Sequence, residues 1–146
     1  SEEDLKGFYD QSTKAGNIIL GKNTYQIASK YGYFPFPDAL NVVVSHEKIE
    51  NQWGDKVVVT DKTPREILAM LQGRGFETAF LAGGGTLNSS FMKEKLVDEI
   101  YLDVEPLVFG KGVRVFKEED FEAELKLIEV NKLNSDTVQL HYEVLK

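Results

Sequence analysis

The stretch Leu81-Ala82-Gly83-Gly84-Gly85-Thr86-Leu87-Asn88-Ser89-Ser90-Phe91 joins an apolar segment to an amphipathic one through three consecutive glycines. A strand that feeds a helix through such a bend puts no Cβ between backbone and ligand, and the free N–H groups of the helix start carry the positive end of its dipole. That arrangement suits a phosphate. Thr86, Asn88, Ser89 and Ser90 add hydroxyl and amide donors to the first turn. The same residues also fit a tight strand-to-helix turn that uses glycine only for its backbone angles. The stretch is neither the G-x-G-x-x-G dinucleotide fingerprint nor the G-x-x-x-x-G-K-[ST] phosphate loop.

Residues 78–82 read as the strand entering this bend. Before it, Thr63-Pro64 is a cap with proline at the first helical position, and Ile67, Leu68 and Leu71 give that helix its apolar face, with Gly73 or Gly75 ending it. Asn17-Ile18-Ile19-Leu20 and Asn41-Val42-Val43-Val44 are apolar runs, as expected of strands covered on both faces, and residues 56–60 read as a third strand. Gly21-Lys22-Asn23-Thr24 turns the first run into a helix for which Asn23 or Thr24 is the predicted cap. Ahead of it, Ser1-Glu2-Glu3-Asp4 has the form of a helix start, and Leu5, Phe8 and Tyr9 continue at helical spacing to about Gly16. Residues 31–39, with Pro35 and Pro37, read as a loop.

Beyond the glycines a helix is predicted to about Lys95, and residues 99–105 alternate as a strand with Ile100, Leu102 and Val104 on one face. Phe109-Gly110-Lys111-Gly112 is a turn, and two long strands, about 123–133 and 137–145, meet in a hairpin at Asn134-Ser135-Asp136. Apolar parity changes between Leu127 and Ile128, which predicts a bulge. Strands alternating with helices and then a strand-rich tail predict a mostly parallel sheet with antiparallel strands at one edge, built by a single domain over 1–146.

The net charge of −7 argues against nucleic acid or an anionic membrane as partner, so an anionic ligand requires a local basic pocket. The absence of cysteine excludes disulfides, thiolate metal sites and a cysteine nucleophile; no metal site is expected, and a reducing, cytoplasmic location is the expectation. No apolar run approaches the roughly 20 residues of a membrane helix.

Three parallel strands are predicted to end in polar, flexible sequence: Gly21-Lys22-Asn23-Thr24, Ser45-His46-Glu47-Lys48 and Gly83-Gly84-Gly85-Thr86. Ligands in open α/β sheets sit outside the carboxyl ends of the strands, so these loops should line one cleft. Lys22 suits one phosphate; Ser45, His46 and Lys48 suit another, although Glu47 opposes it and either lysine also fits a solvated surface position. Asp4, one turn before Phe8, can orient and protonate a nitrogen heterocycle beside the aromatic ring, or serve only as a charge at a helix N-terminus.

Together these segments resemble the superfamily of dihydrofolate reductase and the reductase domain of bifunctional riboflavin-biosynthesis deaminase-reductases. The resemblance rests on Ala82-Gly83-Gly84-Gly85-Thr86-Leu87-Asn88, Leu96-Val97-Asp98-Glu99-Ile100 and Pro106-Leu107-Val108-Phe109-Gly110, with Asn17 to Tyr25 and Asn41 to Ser45 as further matches. It implies a dihydrofolate reductase-like three-layer α/β sandwich and NADPH as cofactor, with Gly21, Lys22, Asn23 and Thr24 on the cofactor phosphates. Ser45 and His46 would meet the adenosine 2′-phosphate end, and Gly83, Gly84, Gly85 and Thr86 the pyrophosphate. It implies a cis Gly83–Gly84 peptide, and Asp4 with Phe8 holding the substrate heterocycle, Asp4 as the catalytic acid. The implied activity is reduction of a ribosylamino-pyrimidine phosphate, with dihydrofolate reduction or nucleotide binding without turnover as alternatives, in a protein that is often a homodimer. In these families a further strand precedes the first helix and contacts nicotinamide and substrate. This sequence starts at the helix, so the expectation is an N-terminally incomplete domain with ladder groups left unpaired.

Overall fold

The two apolar runs set the middle of the molecule. In the computed structural model, which describes residues 2–146 and of Asp4 the backbone alone, they form β1 (Asn17–Gly21) and β2 (Leu40–Val44). With β3 (Val57–Thr60) and β4 (Leu81–Gly83) they build a parallel sheet in the order β3-β2-β1-β4. Ile18, Ile19, Leu20, Val42 and Val43 are fully buried, because helices cover both faces. Ile18, Leu20, Val43 and Val57 pack with Phe8 and Tyr9 of α1 (Glu2–Ala15) and Ala28 of α2 (Lys22–Lys30). Ile19 and Val42 pack instead with Ile67 and Leu71 of α3 (Pro64–Gly73) and Leu87 and Phe91 of α4 (Gly85–Lys93). The result is the expected three-layer sandwich.

The tail departs from expectation in one respect. β5 (Glu99–Val104), β6 (Leu125–Lys132) and β7 (Val138–Val144) form a separate antiparallel sheet, β5-β7-β6, rather than the edge of the first. Among the described residues, β4 pairs only with β1 and β5 only with β7. The predicted strand over 78–82 is cut to residues 81–83 because the Asn17 side chain takes over its first ladder groups: Asn17 Nδ2 donates to Thr78 O (2.7 Å) and Phe80 N donates to Asn17 Oδ1 (3.2 Å). The bulge lies where parity predicts it, since Leu127 faces Tyr142, Glu129 faces His141, and Ile128 is skipped.

The helix starts follow the same local logic. Pairing of Gly21 with Val44 carries β1 to the helix itself, so Gly21 is the N-cap of α2. Asn23 and Thr24 therefore lie inside the first turn instead of capping it. α1 starts at Glu2, and the two side chains that define the predicted start signal, those of Ser1 and Asp4, lie outside the described residues. α3 has the predicted cap as a reciprocal box: Glu66 N donates to Thr63 Oγ1 (3.3 Å) and Thr63 N donates to Glu66 Oε1 (2.9 Å). Thr63→Ala is expected to cost about 1 kcal/mol, a fall of roughly 3 °C in Tm by thermal melting.

The hydrogen bond from the Thr63 N–H holds Glu66 below the ordinary carboxylate range. A depressed folded value stabilises above the unfolded pKa, near 4.3, and that contribution is lost as pH falls through the folded one. The stability difference between wild type and Glu66→Ala should therefore shrink on acidification. A difference that is equal at neutral pH and well below pH ~4 would contradict this.

Candidate functional site

The order of the parallel strands locates the crevice before any side chain is considered. From β1 the chain passes through α2 to β2 on one side, and it reaches β4 from β3, through α3, on the other side of β1. Where the order reverses, loops at the carboxyl ends part and leave room for a ligand. Leu20 is level with Gly83 and Gly21 with Val44, so the β1, β2 and β4 ends lie side by side as expected.

At this point two stretches of backbone nearly touch. A Cβ on Gly21 would lie 3.6 Å from Gly84 N and 3.7 Å from Gly83 O, and one on Gly84 would lie 3.3 Å from Thr24 Oγ1. The Gly83–Gly84 peptide is cis, as the resemblance implies, and Gly83 has φ +120°, a region that favours glycine. Gly21 and Gly84 cap α2 and α4 with no side-chain hydrogen bond, so the first-turn N–H groups of two helices face one crevice without a capping acceptor. Both helix dipoles favour an anion there.

Much of the polar equipment predicted for α4 is turned elsewhere. Asn88 Nδ2 donates to Val115 O (2.9 Å), Ser89 Oγ to Lys117 O (2.7 Å) and Ser90 Oγ to Leu87 O (2.7 Å). Thr86 alone of the four stays exposed. Gly85 is buried against the same segment, and a Cβ on it would come within 2.6 Å of Arg114 O. Its lack of a side chain serves packing of residues 114–117.

After β2, Ser45 is buried; its Oγ accepts from Glu47 N (3.0 Å) and donates to Glu47 O (2.9 Å), which fixes the loop. His46 and Lys48 are exposed, as is Asn23 in α2. Lys22, in the first turn of α2, reaches across to this loop, with Nζ 2.5 Å from Glu47 Oε2. At the entry to β4, the Phe8 ring packs against Phe80 (centroids 5.8 Å, interplanar 55°) and is half-buried. The Asp4 side chain, expected beside it, lies outside the described residues.

Two positioning residues were missed from sequence. Asn17 is fully buried and ties β1 to the segment entering β4; Asn41, also fully buried, accepts from Phe36 N (2.9 Å) and donates to Phe36 O (3.0 Å). Their signal was an amide opening, or nearly opening, each apolar run. Two open surface depressions, lined in part by Asp98, Glu99, Lys95 and Glu122, share no residue with the crevice.

Comparison with known proteins agrees with this geometry. The sequence matches the RibD C-terminal domain family over residues 5–139. It is 31% identical over 137 residues to YwjB of Bacillus subtilis (strain 168), an uncharacterized protein, covering 93% of this chain and 78% of that one. A Shewanella sp. PV-4 structure provisionally assigned to riboflavin biosynthesis superposes with TM-score 0.83 at 24% identity, over 96% of this chain and 80% of the other. The Thermotoga maritima diaminohydroxyphosphoribosylaminopyrimidine deaminase/5-amino-6-(5-phosphoribosylamino)uracil reductase does so with TM-score 0.73 at 14% identity; this chain matches over 96% of its length and spans 48% of that protein. The shared feature is the α/β sandwich with its parallel four-stranded and antiparallel three-stranded sheets. By a match that spans most of its length, the chain belongs to the RibD C-terminal domain family and has the fold of the riboflavin-pathway reductases.

Proposed function

We propose that this protein is an NADPH-dependent reductase of the riboflavin type, acting on 5-amino-6-(5-phosphoribosylamino)uracil. One observation carries the reading: the uncapped starts of α2 and α4 meet where Gly21 and Gly84 leave a cradle that Cβ atoms would narrow. A dinucleotide's diphosphate is an anion of the size and charge such a cradle suits. The residues present fit that group. Backbone N–H groups at Gly85 and Thr86 and in the first turn of α2 would hold it, with Thr24 beside Gly84 narrowing the approach. Ser45 and His46 would lie toward the adenosine end.

When bound, the coenzyme supplies a hydride to an electrophilic C=N or C=O carbon of the heterocycle or its attached sugar, and a proton completes the product at nitrogen or oxygen. The chain's part is to hold the two reactants face to face and exclude water. Phe80 directly precedes β4, so its contact with Phe8 sets α1 beside the strand that ends in the glycines. Asp4, in the same helix, is our candidate to orient the heterocycle and hold the proton.

A steady-state assay of NADPH oxidation tests this reading, with the pyrimidine phosphate and dihydrofolate as parallel substrates. Turnover with the pyrimidine phosphate is the expected result. Turnover with dihydrofolate alone would move the protein to the folate branch. Tight NADPH binding with neither substrate consumed would make it a binding module.

A further inference from the structure

The loop after β2 holds a carboxylate where the coenzyme reading calls for positive charge. Lys22 and Glu47 come from the ends of neighbouring strands, level with each other because Gly21 pairs with Val44. Their side chains close the gap between these ends at 2.5 Å. The Lys22 side chain is 31% exposed and that of Glu47 71%, so the contact is open to solvent and to an approaching ligand. Glu47 is held for this contact: the Ser45 hydroxyl binds both its N–H and its carbonyl.

We propose that Glu47, by holding the Lys22 ammonium, tunes the coenzyme preference of the site, reducing its margin for a 2′-phosphorylated dinucleotide over the unphosphorylated form. This rests on the coenzyme reading above and extends it to specificity. A ribose 2′-phosphate entering beside β2 competes with Glu47 for Lys22 and meets the carboxylate's own charge. A free 2′-hydroxyl meets neither obstacle, since it can donate a hydrogen bond to the carboxylate and leave the pair intact. The Lys22–Glu47 pair thus narrows the margin between NADPH and NADH, and Glu47 acts as a specificity residue through Lys22.

Fluorescence titrations of NADPH and NADH on wild type, Glu47→Gln, Lys22→Met and the double variant test this. Glu47→Gln should raise the ratio of NADPH to NADH affinity by about tenfold, combining release of an exposed ion pair with relief of repulsion. Lys22→Met should lower that ratio, and in its presence Glu47→Gln should have a clearly smaller effect, because the cation it would release is gone. Equal shifts for both coenzymes in Glu47→Gln would show a merely structural role and overturn the proposal. So would a full Glu47→Gln effect in the Lys22→Met background. Wild-type protein that binds neither coenzyme would instead sink the coenzyme reading itself, and this proposal with it.

Discussion

Gly84→Val is expected to weaken NADPH binding by on the order of 100-fold, about 2.7 kcal/mol, while leaving far-UV circular dichroism and Tm close to wild type. The two effects separate because of where Gly84 sits. Its φ of −85° and ψ of −158° lie in extended backbone open to a β-branched residue, so the strand-to-helix turn itself tolerates valine. The new Cβ meets only the Thr24 hydroxyl, at 3.3 Å, and a side-chain oxygen can give way. The two γ-methyls, however, would add bulk between the starts of α2 and α4. There they cover the N–H groups that a diphosphate would approach. Gly85→Ala is the contrasting control: its Cβ would fall 2.6 Å from the Arg114 carbonyl, so that variant should lose stability by displacing residues 114–117. Unchanged NADPH affinity in Gly84→Val would remove the diphosphate from this bend.

What could be read from sequence was what local chemistry decides. Apolar runs opened by Asn17 and Asn41, the Thr63-Pro64 start, and the parity break at Leu127 each became the predicted element. The adjacency of the three polar strand ends was legible too, because neighbouring parallel strands end along the same edge of their sheet. The misreadings share a different cause. Asn88, Ser89 and Ser90 look like ligand donors until residues 115–117 take the first two. Their partners lie 27 and 28 residues away, beyond the reach of periodicity. The Lys22–Glu47 pair, 25 residues apart, was hidden in the same way, and Glu47 read only as an obstacle to phosphate. Gly21 displaced Asn23 and Thr24 as cap because sheet register, a tertiary property, extended β1 up to the helix.

Asn17 shows how such a distant contact supports the site, and Asn17→Ala is the second large effect expected. Its amide is fully buried and makes three hydrogen bonds: Nδ2 donates to Ala15 O (3.2 Å) and Thr78 O (2.7 Å), and Oδ1 accepts from Phe80 N (3.2 Å). Alanine removes all of them and leaves three part-buried backbone groups without the amide, at a cost of about 3 kcal/mol. For a chain of this length that corresponds to a fall of roughly 6–12 °C in Tm. The loss should extend to function, since residues 78–80 lead directly into β4 and the Gly83–Gly84 bend. Without the Asn17 tether, the hydrogen bonds left between that segment and β1 among the described residues are the Ile19 N–H to Phe80 O bond (2.8 Å) and the short β4 ladder. NADPH affinity should therefore weaken in Asn17→Ala at temperatures well below its Tm. Asn17→Asp should fare no better: it keeps the acceptor for Phe80 N but sets a carboxylate against the Thr78 carbonyl in a buried place. Chemical denaturation beside NADPH titration checks both consequences. A Tm within about 2 °C of wild type would show that water or relaxed backbone replaces the amide, and that β4 is held by its ladder alone.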